Sequence, residues 1–171
     1  MKVYRKIEEF KNITNPIVTV GTFDGVHIGH QRIINRLKEI AKQEEGETVL
    51  LTFFPHPRMV IFPEDNSLKL INTLDEKIQL LEQFGLDHLI ILPFDKSFSR
   101  ITPTEYIRDF LVNKINVHTM VIGYDHQYGR NRAGNLELLN ELAPVYNFEV
   151  EEISAQEIAE IKVSSTKIRK A

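Results

Sequence analysis

Cysteine is absent from this chain of 171 residues, which excludes disulfide bonds, thiolate metal sites and a cysteine nucleophile. Long apolar runs are also missing, since no stretch approaches the length that crosses a membrane and residues 1–6 lack the apolar core of a signal peptide. We therefore expect a cytoplasmic protein with no membrane partner. The formal net charge of -3 argues against a general nucleic-acid binder.

Two common nucleotide-binding motifs are missing as well. The chain contains neither G-x-x-x-x-G-K-[ST] nor G-x-G-x-x-G, so neither a kinase-type Walker site nor a dinucleotide fingerprint is supported. Internal repeats and low-complexity linkers are also lacking. With 42% hydrophobic residues, the composition fits one globular domain with a sizeable core.

Strand-like and helix-like segments alternate along the whole chain. Strand-like runs occupy residues 17–20, 48–54, 88–94, 119–123 and 148–153, and helix-like runs begin near residues 30, 74, 103 and 136. Thr73 and Thr102 are each followed three residues later by glutamate, which is typical of a capping box. The pattern predicts an α/β fold with a doubly wound, mainly parallel sheet. Ligands of such sheets bind beyond the carboxyl ends of the strands, so the loops after Val20, Phe54 and Ile122 are expected to converge on one crevice.

The most informative segment is residues 21–30, G-T-F-D-G-V-H-I-G-H, because it joins a buried strand to the start of a helix. The first amides of a helix lack intrahelical partners and lie at the positive end of its dipole, so they attract anions. His27 and His30 are three residues apart and can donate N–H groups to one phosphate. The glycines permit unusual backbone angles and close approach of the ligand. The alternative is a loop histidine and a capping histidine with no ligand.

This segment resembles the H-x-G-H nucleotidyltransferase superfamily. Its longer form is similar to that of bacterial FAD synthetases, the adenylyltransferase module of bifunctional riboflavin kinase/FMN adenylyltransferases. The resemblance implies the Rossmann-like sheet of that superfamily, and it implies that His27 and His30 are catalytic. It also implies an ATP site formed by Gly21, Thr22, Phe23, Asp24, His27, Gly29 and His30. Asp24 is assigned to turn geometry first and to a metal second, because phosphates repel a bare carboxylate.

A second candidate segment, Phe54-Pro55-His56-Pro57-Arg58, follows the second predicted strand. Its prolines stiffen the chain, and its aromatic ring, imidazole and guanidinium could hold a flat ring system. A rigid strand exit without a ligand is the alternative. Within the family that the chain resembles, the comparable loop lies on the flavin side, which implies that these five residues bind FMN.

Residues 123–134, G-Y-D-H-Q-Y-G-R-N-R-A-G, resemble the family segment G-x-[DN]-F-x-F-G-x-x-x-x-G. The resemblance implies that Asp125 contributes to catalysis and to FMN binding, as a polar anchor. An Asx-type turn is the alternative for this residue. His126 and Tyr128 stand where the family usually has phenylalanine, and their roles stay open.

Near the end of the chain, residues 163–169, V-S-S-T-K-I-R, resemble the family signature I-S-S-T-x-I-R. The resemblance implies that Ser164, Ser165, Thr166 and Arg169 bind ATP and that Arg169 is also catalytic. Free amides and hydroxyls at a helix start favour an anion, and a guanidinium can clamp it. Ordinary capping explains the hydroxyls equally well. Lys167, where many relatives have arginine, receives no role.

The reaction implied by the resemblance is the adenylylation of FMN. An FMN phosphate oxygen attacks the α-phosphorus of ATP in line, pyrophosphate leaves and FAD forms. The nucleophile is already an anion, so alignment and charge stabilisation suffice without a protein nucleophile. We expect Mg²⁺ to accompany ATP and neutralise part of its charge, and no ligands are assigned to it.

Two other functions stay open at this point. One is an adenylyl- or cytidylyltransferase that acts on another phosphate-bearing acceptor, such as phosphopantetheine, nicotinamide mononucleotide or phosphocholine. The other is a non-catalytic module that binds flavin or adenine nucleotide. Residues 1–171 are expected to form a single FMN adenylyltransferase domain without the C-terminal riboflavin kinase domain that follows in bifunctional relatives.

Overall fold

The computed structural model describes residues 1–23, 28–64, 73–123 and 134–153. Its strands are β1 Lys2–Tyr4, β2 Pro16–Val20, β3 Glu47–Phe54, β4 His88–Pro93, β5 Thr119–Gly123 and β6 Glu149–Ile153. In the described ranges these six strands form one sheet in the order β1-β4-β3-β2-β5-β6. Every neighbouring pair is parallel. The predicted α/β class and parallel sheet are therefore confirmed.

The helices follow the strands along the chain. They are α1 Ile28–Gln43, α2 Pro57–Ile61, α3 Leu74–Gln83, α4 Lys96–Ser99, α5 Pro103–Glu105 and α6 Leu136–Tyr146, with a short 3-10 turn at Ile7–Glu9. Helix α5 continues into π-helical turns over Tyr106–Val112. Strand β1 and helices α2 and α4 have only three to five residues each, and the sequence patterns did not predict them. Helix α6 runs four residues beyond the predicted Leu142 and contains Pro144.

Apolar side chains cover both faces of the sheet. On one face, α1 and α3 pack on the strands through fully buried residues such as Ile34, Leu37, Leu50, Leu81 and Leu89. On the other, the π-helical turns and α6 pack through residues such as Val18, Leu51, Ile107, Leu111, Met120 and Leu139. Burying one such side chain stabilises the fold by about 1.5–3 kcal/mol relative to exposure. The result is a three-layer arrangement with helices on both sides of the sheet.

Two predicted helix starts are capped as expected. The Thr73 hydroxyl accepts a hydrogen bond from the Glu76 amide at 3.2 Å. The Thr102 hydroxyl accepts one from the Glu105 amide, also at 3.2 Å. Gly85 ends α3 with a left-handed φ of 85°. Such caps satisfy amides that have no partner inside the helix.

The order of the strands locates the crevice of the sheet. The chain proceeds from β2 to β3 and β4 in one direction, and β5 then returns to the other side of β2. Parallel sheets bind ligands at such a reversal, beyond the carboxyl ends of the strands. Strands β3, β2 and β5 precede the three loops predicted to converge, and they lie side by side. Within the described ranges, no helix combines the length and apolar composition needed to cross a bilayer.

Candidate functional site

The first candidate segment leaves the carboxyl end of β2, at the centre of the sheet. The Gly21 amide still donates to the Leu51 carbonyl at 3.0 Å, so the turn begins attached to β3. Helix α1 then begins at Ile28, two residues earlier than predicted. The strand-to-helix junction inferred from the sequence is confirmed. It places the start of a helix of 16 residues beside the crevice.

Phe23 and His30 form a buried ring pair at this junction. Their ring centroids are 4.5 Å apart and their planes differ by 17°. Phe23 is 5% exposed and His30 is 8% exposed. His30 is the third residue of α1, so its imidazole is held in the first helical turn by the phenyl ring beneath it. Aromatic stacking adds about 0.5–1.5 kcal/mol beyond burial.

Within the described part of the turn, residues 21–23, Phe23 has a strained backbone conformation. Phe23 has a left-handed φ of 47°, a conformation that costs a non-glycine residue about 1–2 kcal/mol. The glycines were expected to permit such angles and close approach of a ligand, and Gly21 is not among the residues with a positive φ. Gly21 instead provides space. A Cβ atom there would lie 3.0 Å from Cδ1 of Phe23.

A buried residue bonded to this turn that the sequence patterns did not single out is Lys77, on α3. Its ammonium group donates to the Thr22 carbonyl at 2.8 Å and to the Thr52 hydroxyl at 3.1 Å. The Thr52 hydroxyl also donates to the Thr22 carbonyl, at 3.4 Å. Lys77 is only 9% exposed. Helical spacing could have predicted its burial, because Lys77 lies on the core-facing stripe of α3 with Leu74 and Leu81.

The second candidate segment leaves the neighbouring strand β3. Phe54 is its last residue and its side chain is 50% exposed, while its carbonyl accepts from the Phe94 amide at 3.1 Å. The peptide bond to Pro55 is cis. The exposed ring therefore belongs to a backbone that is hydrogen-bonded just beyond the end of β4, in the strand that pairs with β2.

The prolines were expected to stiffen a loop, and the structure shows that helix α2 begins at Pro57 instead. His56 caps this helix, since its Nδ1 accepts from the Arg58 amide at 3.1 Å. Proline suits a first helical position because its missing N–H would have no partner there. Arg58 is exposed, and Pro57 is half-buried. The five-residue helix was too short to show a periodic pattern.

A cluster of aromatic rings packs next to the end of β3. Phe53, Phe94 and Phe98 contact one another with centroid distances of 5.5 to 5.6 Å, and Phe110 contacts Phe98 at 5.2 Å. The same segment of the chain, from the end of β3 through α2, exposes four large apolar side chains, namely Phe54, Met59, Ile61 and Phe62. We call these four residues the apolar face. It begins at the end of β3, the strand that pairs with β2, and exposes apolar area that a flat ring could cover.

A separate polar network lies where strands β3 and β4 begin, at the end of the sheet opposite the candidate site. The Tyr4 hydroxyl lies 2.9 Å from Nδ1 of His88, and Nε2 of His88 lies 3.0 Å from the Glu47 carboxylate. Burial raises the pKa of Tyr4. The hydrogen bonds from His88 and from the Thr14 amide lower the pKa of Glu47. Glu47 begins β3 and Phe54 ends it, so this network is structural and remote from the candidate site.

Seven predicted site residues lie outside the described residues: Asp24, His27, Asp125, Ser164, Ser165, Thr166 and Arg169. The structure thus brings together Gly21, Thr22, Phe23 and His30 at one strand end and residues 54–58 at the next. Among the residues it describes, no group of three or more histidine, aspartate or glutamate side chains could hold a metal ion.

Comparison with known proteins identifies the family. The family model described as FAD synthetase matches residues 9–167. The chain is 38% identical over 172 aligned positions to the bifunctional riboflavin kinase/FMN adenylyltransferase of Buchnera aphidicola, with 99% of this chain and 55% of the relative covered. It is 34% identical to a FAD synthetase of Listeria monocytogenes, with 90% of this chain and 61% of the relative covered. The chain thus spans little more than half the length of these relatives.

Solved structures show the same fold. The crystal structure titled macrolide-efflux protein from Streptococcus pneumoniae superposes with a TM-score of 0.73 at 22% identity, covering 89% of this chain and 50% of the other. The pantoate-beta-alanine ligase of Francisella tularensis superposes with a TM-score of 0.56 at 15% identity, covering 90% and 66%. Both likenesses concern the fold alone. The match over residues 9–167 and the curated relatives establish that this chain belongs to the FAD synthetase family.

Proposed function

We propose that this chain is an FMN adenylyltransferase, which converts ATP and FMN to FAD and pyrophosphate. Residues 1–171 then act as a single FMN adenylyltransferase domain, and none of them is assigned to riboflavin kinase chemistry. The observation that carries the proposal is the connection between the two candidate segments. The turn that follows β2 is bonded to β3 through Gly21 and Leu51, and β3 ends three residues later in the exposed ring of Phe54.

The β2–α1 junction is assigned to the triphosphate of ATP. The positive end of the α1 dipole and the first amides of the helix favour an anion there. His30 donates to a phosphate oxygen from the first turn, and its stacking on Phe23 holds the imidazole in place. Gly21, Thr22, Phe23, Asp24, His27 and Gly29 complete this wall, with Ser164, Ser165, Thr166 and Arg169 assigned to the other side of the nucleotide.

The exit of β3 is assigned to FMN. The isoalloxazine ring system of FMN is flat and aromatic, and the apolar face exposes apolar side chains where the strand next to β2 ends. Phe54, Pro55, His56, Pro57 and Arg58 form the flavin wall, and Asp125 anchors the flavin phosphate or the nucleotide. The burial of exposed apolar area drives such contacts at about 25 cal/mol per Å².

The reaction requires that the two substrates be held in line, because the attacking phosphate is already an anion and needs no activation. An oxygen of the FMN phosphate forms a bond to the α-phosphorus of ATP, while the bond from that phosphorus to the bridging oxygen breaks. Pyrophosphate leaves with the electron pair. Preorganised N–H donors stabilise the charge that develops on the leaving group, and holding both substrates in line supplies the rest. Mg²⁺ bound to ATP neutralises part of the triphosphate charge.

One experiment tests the activity. The chain is incubated with ATP, Mg²⁺ and one acceptor at a time: FMN, phosphopantetheine, nicotinamide mononucleotide or phosphocholine. Products are identified by mass, and pyrophosphate is measured in parallel. We expect FAD and an equal amount of pyrophosphate with FMN alone. An adenylylated product from another acceptor, or FMN binding without any pyrophosphate, would contradict the proposal.

A further inference from the structure

The side chain of Lys77 makes an unusual set of contacts for a lysine. It is nine-tenths buried, and its ammonium group donates to the Thr22 carbonyl at 2.8 Å and the Thr52 hydroxyl at 3.1 Å. Thr52 is fully buried in β3. One ammonium group thus joins helix α3, strand β3 and the turn that follows β2.

Placing a lysine there is costly for folding. Leu74, Ile78 and Leu81 occupy the same stripe of α3 and pack against the apolar core, and an apolar residue at position 77 would continue that packing. Burying an ammonium group carries a desolvation penalty that hydrogen bonds must offset. Stability alone therefore does not favour lysine at this position, which points to a role in the neighbouring turn.

That role follows from the direction of the Thr22 carbonyl. In a trans peptide the carbonyl and the N–H of the next residue point in opposite directions. The ammonium group of Lys77 holds the Thr22 oxygen toward α3, so the Phe23 amide points away from α3. A carbonyl oxygen repels phosphate and an amide attracts it, so a turn that binds phosphate needs its carbonyls turned away from the ligand.

The same contact fixes the geometry of the residue that follows. Phe23 has the left-handed φ of 47° and stacks on His30. A residue held in a disfavoured conformation persists only where its surroundings impose that conformation. The bonds from Lys77 and Thr52 to the Thr22 carbonyl, immediately before Phe23, supply this constraint. The positive charge of Lys77 also lies beneath the turn and adds to the attraction for an anion.

We propose that Lys77 is a positioning residue for the triphosphate of ATP: it orients the Thr22–Phe23 peptide and thereby the imidazole of His30. This inference rests on the proposed function of the β2–α1 junction. Lys77 acts through the turn and does not contact the substrate. Its loss should therefore weaken ATP binding and turnover while leaving the affinity for FMN unchanged.

The test compares Lys77→Met with two related variants and one matched control. Lys77→Arg keeps the charge. Thr52→Val keeps the shape but removes the hydroxyl that accepts from Lys77 and donates to the Thr22 carbonyl. Lys38→Met is the control, because the Lys38 ammonium also donates to a backbone carbonyl, that of Phe84 at 3.3 Å, but far from the turn. Circular dichroism and thermal unfolding establish that each variant folds. Calorimetry with a non-hydrolysable ATP analogue and Mg²⁺, and separately with FMN, measures binding.

We expect Lys77→Met to weaken binding of the ATP analogue at least tenfold and to lower kcat/KM for ATP by about a hundredfold, with FMN affinity within twofold of the parent. Thr52→Val should show the same pattern with a smaller effect, Lys77→Arg should recover part of the loss, and Lys38→Met should match the parent. A folded Lys77→Met with unchanged ATP affinity would overturn the inference, and so would equal losses for ATP and FMN. If Lys77→Met fails to fold, unchanged ATP affinity in Thr52→Val overturns it.

The outcome for Lys77 can be separated from the outcome for the proposed function. A parent chain that binds the ATP analogue but forms no FAD would refute the adenylyltransferase proposal, while the binding comparison would still decide the role of Lys77. A parent chain that does not bind ATP would refute both.

Discussion

The imidazole of His30 lies face to face with the ring of Phe23, with centroids 4.5 Å apart and planes within 17° of parallel. This pair joins the last described residue of the turn after β2 to the first turn of α1. Phe23, which has a left-handed φ of 47°, thereby supports the histidine assigned to ATP. Local conformation and proposed chemistry therefore depend on one contact.

Replacing Phe23 by leucine tests that contact. Leucine keeps an apolar side chain in the buried position but loses the stacking surface, which is worth about 0.5–1.5 kcal/mol. We expect turnover to fall about three- to tenfold while the protein remains folded. Steady-state FAD formation at saturating ATP and FMN measures the effect. Turnover equal to that of the parent would show that the ring does not orient His30.

Gly21→Ala tests the same pair from the other side. The added Cβ would lie 3.0 Å from Cδ1 and 3.1 Å from Cε1 of Phe23, closer than ordinary contacts, so the ring must move. We expect a loss of turnover that becomes smaller when Phe23 is already leucine, because the displaced ring is then absent. A double-mutant cycle measures this coupling. Strictly additive losses would contradict the account.

Phe54→Ala tests the flavin wall. The ring is half exposed, so its removal should change the free energy of unfolding by less than about 1 kcal/mol. We expect FMN affinity to fall at least tenfold, with ATP affinity within twofold of the parent. Calorimetry with each ligand separates the two effects. Val145→Ala is the control, because Val145 on α6 is also an exposed apolar residue, at 68% against 50% for Phe54. Equal losses for FMN and ATP would count against the wall.

The free energy of unfolding at low pH depends on Glu47, the first residue of β3. Its pKa in the folded protein is lowered, first by the hydrogen bond from His88 and then by that from the Thr14 amide. A lowered pKa adds stability above the ordinary value of 4.5, and that stability is lost as the pH falls through the folded value. We therefore expect Glu47→Gln to be less stable than the parent at pH 7, with the difference shrinking below about pH 4.5. Urea unfolding at several pH values measures it, and a difference that does not vary with pH would refute the assignment.

Much of the fold could be predicted from local patterns. The apolar runs at Ile17–Val20 and Thr48–Phe54 indicated buried strands, and Thr73 and Thr102 marked helix starts through capping. Strand β1 escaped prediction because its three residues are too few to show alternation, and it is stabilised by pairing with β4. The π-helical turns after Glu105 also escaped, because their apolar spacing is that of an ordinary helix.

The candidate site was less predictable, since its geometry depends on contacts between distant residues. Nothing local indicates that Phe23 takes a left-handed conformation, because propensity favours glycine there, and the chain offers Gly21 two residues earlier. Lys77 lies 55 positions from Thr22 in the chain, so only the packing of α3 on the sheet brings them together. His56 was interpreted as a ligand-binding residue, and its capping of α2 became visible only with the backbone.

The most direct test of the central claim is the turnover of His30→Ala. The β2–α1 junction is assigned to the triphosphate, and His30 is assigned as a donor to the charge that develops in the transition state. Losing one such donor lowers kcat by about 10²- to 10³-fold, and we predict a loss of that size in FAD formation by a variant whose thermal unfolding shows that it is folded. Near-normal FAD formation by a folded His30→Ala protein would contradict the account.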